Sequence, residues 1–466
     1  VDWFLCFYWA SGSIFFQKQS PDIISDVTGM PQKEIWMSIF QKDRKIGYTN
    51  RRFFQRDDGY YLSESVFMRI NTLGMVQDIK IKTFGNLNKD LSLASFNFEL
   101  KSGMFHFMAH GKVEGKTLTV FTDQQKSEIP LENKIYLTAG IMDAAWSSGL
   151  QPDQTRTFYV FDPATMGQRA VQVTMIGYET LNVMGIKQKT KKMSVDFMGV
   201  SQTAWIGEDG SVIQEEGFMG IKLKRVTENE ALNGMTMAAS QDFTSIVAVT
   251  PDIPIDQADK LKKLRLKIYG IKNEGLFLNG GRQNFEDGIL TILKEDHLDM
   301  LEMHLSEKEQ FLKPSPFIQS NHPKIKHKVS EIVSPDDSLL SKAKKLMAWM
   351  YKNIDKRPVL SVPSALDTLK NLMGDCNEHA VLMAALARAA GIPAQIEAGL
   401  VYVKGRFYYH AWNVLYLGEW VTIDSLMGQM PADVTHIRFV RGEPKEQIDL
   451  IGVIGKVKLE ILEQSK

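Results

Sequence analysis

The feature that most constrains this 466-residue chain is a change of hydrophobic period between its N-terminal and C-terminal parts. From about Glu34 to Thr122, apolar and polar residues alternate and the runs are broken by polar turns. Alternation of this kind belongs to antiparallel strands that bury one face and wet the other. Ile35–Gln41 and Ile46–Arg56 flank a charged turn, and Tyr60–Asn71 follows Asp57-Asp58-Gly59. Ser95–Leu100, Met104–Ala109 and Leu118–Phe121 continue the meander. Residues 136–148 read as a short helix closed by Gly149. A second strand-rich block runs from about Thr157 to Val226, with a hairpin at Trp205–Glu215 around Glu208-Asp209-Gly210. The two blocks are either halves of one sheet or a loose duplication, and residues 34–240 are expected to form a curved sheet or half-barrel.

Residues 241–330 are expected to connect two regions, with a domain boundary in the Pro- and His-containing stretch Leu312–Lys328. Beyond it, over 331–466, the period becomes helical. Ser334 or Asp336 is expected to cap a helix that carries Leu339, Ala343, Leu346 and Met350 on one face. A short helix over Ala365–Leu372 stops at Gly374, and a helix over Cys376–Ala390 is closed by Gly391-Ile392-Pro393. Strands follow at Ala394–Val403, Phe407–Leu417 and Trp420–Asp424. Helices followed by antiparallel strands make the C-terminal part, and the chain as a whole, α+β.

Composition removes several function classes. Hydrophobic residues make up 44% and charged residues 24%, as in ordinary folded chains. Lys+Arg and Asp+Glu stand at 55 each, so no net field draws in nucleic acid, which is not expected as a partner. Two cysteines, Cys6 and Cys376, exclude a disulfide framework. Val1–Phe16 is nearly all apolar but shorter than a spanning helix, and no basic residue precedes the apolar run. Residues 1–20 are therefore read as the remnant of an anchor or signal, in preference to an apolar helix packed on the fold. Cys6 follows Trp3-Phe4-Leu5, which lacks the small residue of a lipidation box. The expected location is extracytoplasmic (periplasmic), with the chain tethered to the inner membrane.

The chemistry concentrates at one helix start. A free thiol ionises near pH ~8.5, and a helix N-terminus with an imidazolium beside it can bring that down to roughly 3.5–7.5. Gly374-Asp375-Cys376 places a thiol in the first turn, among unpaired N–H groups that favour a thiolate and can donate to an oxyanion. His410 sits mid-strand in Tyr408-Tyr409-His410-Ala411-Trp412, and Asp424 ends the next strand across the Gly418-Glu419 turn. Pairing about that turn sets residue 410 opposite roughly 427, with Asp424 close enough to bond His410 and fix its tautomer.

The stretches GDCNEHAVLMAALARAAGIPAQIEAGLVY and FYYHAWNVLYLGEWVTIDS resemble the transglutaminase-like superfamily. The shared marks are Gly-x-Cys on a small-residue helix, a Gly-Ile-Pro-Ala link, His-Ala-Trp, and a strand ending in Asp. The resemblance covers about 100 of the 466 residues, and Ser425-Leu426 stand where the family often has Pro-Thr. It implies a papain-like thiol fold with Cys376 as nucleophile, His410 as base and Asp424 as the orienting group. It further implies an acyl-enzyme formed on amide bonds of a protein or peptide substrate, with no cofactor. More loosely, the chain resembles bacterial extracytoplasmic proteins that join this core to a strand-rich N-terminal region.

Simpler explanations compete for each residue. Cys376 alone would be a buried core cysteine, His410 a satisfied strand histidine and Asp424 a turn cap. Asn377, Glu378 and His379 either line the cleft or form polar helix surface, and Trp412 is either cleft wall or core. Cys376, His379, His410 and Asp424 form a zinc-like set that the thiol reading explains without metal. His106 and His110 lie on strand and turn, and Gly111–Thr117 is one residue short of a phosphate loop. Two functions follow: a cysteine-dependent enzyme acting on amides, or a catalytically silent envelope module that binds through its N-terminal strands.

Overall fold

The period-two region folds as one sheet. In the computed structural model the described residues are 30–122, 125–197, 200–235, 241–271, 275–295 and 309–466. The expected anchor over 1–20, with Cys6, lies outside them. Among the described residues no helix is long and apolar enough to cross a membrane.

The described residues divide into two compact units, one within 30–246 with 360–362, the other within 247–359 and 363–466. In the first, the strands are β1 (Lys33–Gln41), β2 (Arg44–Arg56), β3 (Gly59–Thr72), β4 (Met75–Leu87), β5 (Leu93–Ser102), β6 (Phe105–Glu114), β7 (Thr117–Thr122) and β8 (Lys126–Pro130). They continue with β9 (Ile135–Leu137), β10 (Thr155–Asp162), β11 (Gly167–Val183), β12 (Ile186–Phe197), β13 (Val200–Ile206), β14 (Val212–Glu216) and β15 (Ile221–Val226). Their order in the sheet is β8 down to β1, then β15 down to β9. The two sequence blocks are thus halves of one sheet, joined where β1 pairs antiparallel with β15, Ile39 opposite Leu223. The sheet is strongly curved: Phe96 on β5 and Phe161 on β10, far apart in strand order, meet with ring centroids 5.3 Å apart.

Two features of this sheet were not legible. Strand β4 escapes the alternation test because its inward positions include Thr83 and Gly85. A Cβ on Gly85 would come within 2.4 Å of Leu137 Cδ1, so the curved sheet leaves no room for one. The expected helix over 136–148 starts later, at Ile141–Ser147, because Ile135–Leu137 is drawn into the ladder beside β10.

That helix carries Asp143, wholly buried, into a charged interior. Lys33 Nζ donates to Asp143 Oδ1 at 3.1 Å, and Arg51 Nη2 donates to Oδ2. Arg51 faces Glu64 across the β2–β3 ladder. Burial pushes the Glu215 carboxyl up to about 8, helped by Glu64 and opposed by Arg51 and a hydrogen bond from Gln202. Burial, with Arg51 beside it, lowers Lys33 to about 7.

In the second unit, β16 (Lys263–Tyr269), β17 (Gln283–Glu286) and β18 (Ile289–Leu293) precede a short pair, β19 (Asp355–Lys356) and β20 (Met373–Gly374). Strands β21 (Ala394–Val403), β22 (Arg406–Tyr416), β23 (Trp420–Ile423), β24 (Ile437–Arg441) and β25 (Lys458–Ser465) complete it. Of the region expected to connect the two parts, the described residues from 247 on group in the same unit as the helices. The physical reason is β16, whose buried Leu264, Leu266 and Ile268 need a sheet, and which pairs with β18 on one side and β25 on the other.

The helices are α1 (Pro323–Ile332), α2 (Leu339–Asn353), α3 (Ala365–Asn371) and α4 (Cys376–Ala389). Pro323 opens α1 with His322 as its cap. Helix α2 is capped by Ser338 rather than Ser334 or Asp336, because the Ser338 hydroxyl accepts from Ser341 N while Asp337 holds Ser334 N and Lys345. Helix α4 lies against the sheet β23-β22-β21-β24, and Asn413 of β22 donates to Ala380 O at 2.8 Å. Ala380, Ala384 and Ala387 are almost fully buried and let the helix approach closely. Strand β24 fits beside β21 because position 399 is glycine: a Cβ there would sit 1.9 Å from Ile437 O.

Glu215 supplies a stability test. Its carboxyl titrates near 8 in the fold and near 4.5 when unfolded, so folding retains a proton that the unfolded chain releases. Stability therefore falls as pH rises from about 4.5 to about 8 and stays reduced above that. Glu215→Gln removes this slope: urea unfolding should show a gain of about 1 kcal/mol or more at pH 8.5 and almost none at pH 4.5. Equal stability of the two proteins at pH 8.5 would disprove it.

Candidate active site

The local sequence builds the helix start before any chemistry is considered. Asp375 caps α4, its Oδ1 accepting from Asn377 N at 2.9 Å, and the Glu378 carboxylate reaches back to Asp375 N at 3.1 Å. This reciprocal box satisfies N–H groups that would otherwise be orphaned. Gly374 makes room for it, since a Cβ would lie 2.2 Å from Glu378 Cβ. His379 Nδ1 donates to Asp375 O at 2.7 Å, and burial lowers its pKa, so the ring is neutral. Its Nε2 is buried and has no hydrogen-bond partner among the described residues. Asn377, Glu378 and His379, candidates for lining a cleft, are all buried in the helix start.

Cys376 is half-buried at the first position of α4. The Ala411 amide donates to its sulfur. Burial, reinforced by the Asp375 carboxylate, pushes the thiol up to about 12. The helix terminus was expected to lower it; desolvation of the charged form outweighs that pull. A thiolate here depends on handing its proton to a neighbouring base.

His410 and Asp424 meet as a hydrogen-bonded pair, His410 Nε2 to Asp424 Oδ2 at 2.6 Å. The first β22–β23 pair is Asn413 opposite Ile423, which carries residue 412 opposite 424 and makes Asp424 a diagonal neighbour of His410. That is one position from the register inferred from the turn. Because a carboxylate only accepts, Nε2 bears the proton and Nδ1 is left able to take one. Asp424 lies just past β23, where its Oδ1 accepts from Leu426 N and Met427 N, each at 2.8 Å. Burial acts to raise its carboxyl, but His410 and a second histidine, His436, hold it well below the usual carboxylate range.

Sequence reasoning missed His436. Its Nε2 donates to Asp424 Oδ2 at 3.1 Å, and its Nδ1 lies 3.3 Å from Asp433 Oδ1. Both ring nitrogens thus face carboxylates, and the side chain is fully buried. It follows a stretch without apolar period, and its only sequence mark is an Asp three residues upstream.

Trp412, 1% exposed, lies in the core and not on a cleft wall. Its ring stacks near His410 (centroids 6.1 Å apart) and meets His436 edge-on (5.1 Å). Its Nε1 donates to Glu397 Oε2 at 2.9 Å, and Arg438 and Arg441 both donate to Glu397 Oε1. The aromatic ring is thereby fixed beneath the two histidines.

His410, Asp424 and His436 place donor atoms within 4.8 Å of one another, a grouping that resembles a metal set. The contacts of 2.6 and 3.1 Å are hydrogen bonds between the donors themselves and account for the cluster through protons. Cys376 and His379, the other members of the zinc-like set read from the sequence, do not belong to this group among the described residues. His106 instead bonds Glu99 at 2.8 Å, and His110 stacks on Phe121.

Residues 326–425 match the family model described as the transglutaminase-like superfamily, so the chain carries a transglutaminase-like domain. Among solved structures, a candidate cysteine protease of Cytophaga hutchinsonii aligns at 16% identity over 42% of this chain and 83% of its own, with a TM-score of 0.28. A β-barrel-like protein of Brucella abortus aligns at 10% identity over 42% of this chain and 97% of its own, with a TM-score of 0.34. A candidate protease of Parabacteroides distasonis aligns at 10% identity over 71% of this chain and 64% of its own, with a TM-score of 0.21. No curated protein matches the sequence.

Replacing Trp412 by Phe keeps a ring beneath the histidines and deletes only the donor to Glu397. Chemical denaturation should show a loss of about 1–3 kcal/mol, the cost of an unmet buried acceptor. An unchanged midpoint would mean that Arg438 and Arg441 satisfy Glu397 alone.

Proposed function

We propose that the transglutaminase-like domain is a working thiol site that cleaves or transfers acyl groups from amides, with Cys376 as nucleophile, His410 as base and Asp424 as orienting anion. The observation that carries this reading is the 2.6 Å His410–Asp424 hydrogen bond, made beside a helix that begins with Cys376. In the first half-reaction, His410 Nδ1 takes the thiol proton and the sulfur attacks the amide carbonyl carbon. The oxygen gains negative charge and is met by the backbone N–H of Cys376 itself, since those of Asn377 and His379 already donate to Asp375. His410 then gives its proton to the leaving amine nitrogen as the C–N bond breaks, which leaves a thioester on Cys376. Water or an amine attacks that thioester, losing its proton to His410, and the sulfur departs. Asp424 stays ionised and stabilises the imidazolium throughout.

Substrates on this reading are peptide or glutamine carboxamide groups of proteins. They belong to the cell envelope if residues 1–20 anchor the chain outside the cytoplasm. The residues of the site need no cofactor for these steps.

A silent binding module is the second reading, and the thiol pushed up to about 12 by burial favours it. Alkylation by iodoacetamide across pH separates the two. For a working site, wild type labels rapidly well below pH 8, and His410→Ala slows labelling at pH 6 by roughly tenfold or more, as loss of one pKa unit requires. Labelling that rises only above pH ~8.5 and ignores the His410 substitution would favour the silent module.

A further inference from the structure

We propose that His436, braced by Asp433, is a positioning residue of the thiol site: a buried imidazolium that holds Asp424 ionised and aimed at His410. The proposal rests on the reading of Cys376, His410 and Asp424 as a working triad, and extends it to a line of alternating charge, His410–Asp424–His436–Asp433.

The geometry sets the charge of His436. A neutral imidazole has one donor and one acceptor nitrogen, and a carboxylate can only accept. His436 presents Nε2 to Asp424 Oδ2 at 3.1 Å and Nδ1 to Asp433 Oδ1 at 3.3 Å. Both contacts are favourable together only if both nitrogens carry protons. Asp433 also accepts from Thr435 N at 2.8 Å, Thr435 Oγ1 at 2.5 Å and Gln429 Nε2 at 2.9 Å, so both carboxylates are held as anions, and a neutral ring would set a nitrogen lone pair against one of them. The direction of its pKa agrees: burial works against the charge, yet the two carboxylates raise it above the ordinary histidine value.

The surroundings hold this arrangement in place. Asp424 N donates to Gln429 O at 2.9 Å, and Gln429 N returns a bond to Asp424 O at 3.0 Å. The Gln429 side chain donates to Asp433 Oδ2 at 2.9 Å and accepts from Asp433 N at 3.0 Å. Asp433 bonds His436, and His436 bonds Asp424, so the loop closes on itself as a ring of hydrogen bonds. Arg282 clamps it from outside, donating to the carbonyls of Ala432 (2.7 Å), Asp433 (2.9 Å) and His436 (3.2 Å). The titratable groups facing His436 are Asp424, Asp433 and His410, with the Arg282 guanidinium at its backbone. Trp412 separates it from Glu397, Arg438 and Arg441.

What this does for the site follows from the oxygen that is shared. Asp424 Oδ2 accepts from His410 and from His436, while Oδ1 is taken by two backbone amides. The bond from His436 limits rotation of that carboxylate. Its positive charge also offsets Asp433, so that the field of a neighbouring anion does not drive a proton onto Asp424. Removing the imidazolium frees Asp424 to turn or to take up a proton, and His410 loses the partner that steadies its cation.

The test uses the full chain and the pH profile of iodoacetamide labelling in wild type, His436→Gln and Asp433→Asn, with circular dichroism to confirm folding. The His436→Gln variant keeps a donor for Asp424 but no charge. The Asp433→Asn variant spares His436 and removes one of its anions. The expected result is that the midpoint of labelling moves up by about one unit or more in His436→Gln, so that the rate at pH 6 falls roughly tenfold while the rate at pH 10 is unchanged. Asp433→Asn should shift in the same direction by less, and chelator should alter none of the profiles. A low-pH profile in wild type that both variants reproduce would overturn the positioning role and leave the triad standing. An ordinary thiol profile in wild type itself would overturn the triad, and the positioning role with it.

Discussion

A single carboxylate, Asp424, is the constraint around which the C-terminal unit is arranged. It is buried, yet stays ionised because four hydrogen bonds converge on its two oxygens. Removing a carboxylate from water is costly, and only this density of donors makes a buried anion tolerable. Strand β23 delivers it, the following turn supplies two amides, and His410 and His436 supply the rest. Through Trp412 the same cluster leans on the Glu397–Arg438–Arg441 network, which ties β21, β22 and β24 together. Chemistry and scaffold are therefore one hydrogen-bonded system.

Against this anion the thiol stands in the opposite situation. Cys376 has one backbone donor and a nearby carboxylate, and burial favours its neutral form. Asp424 is thus firmly ionised while the Cys376 thiol is held protonated.

What was legible follows from punctuation. Gly374 and Gly391-Ile392-Pro393 bracket α4, and the short Gly418-Glu419 turn pins β22 to β23 closely enough to bring His410 and Asp424 together from sequence alone. The alternating strands of the first unit were equally plain, and the Asp209-Gly210 turn marked its hairpin. Three things were hidden. His436 depends on loop residues such as Gln429 and Asp433, whose burial no hydrophobic period reveals. Strand β4 carries Thr83 and Gly85 inward, which erases its alternation. The depth of Cys376 is a tertiary property, and a helix-start motif says nothing about how much water reaches it.

The edge-to-edge pairing of β16 with β25 bears on how the protein is made. Leu266 pairs with Ile461, far along the chain, so the small sheet of the second unit must wait for β25 to leave the ribosome. Helix α4 and the strands that carry His410 and Asp424 emerge earlier, between these two partners. During synthesis that edge of β16 is unpaired for as long as the intervening chain takes to be translated. The elements that carry Cys376, His410 and Asp424 thus emerge while that sheet is still open, and a truncation within β25 would leave the edge exposed to neighbouring nascent chains.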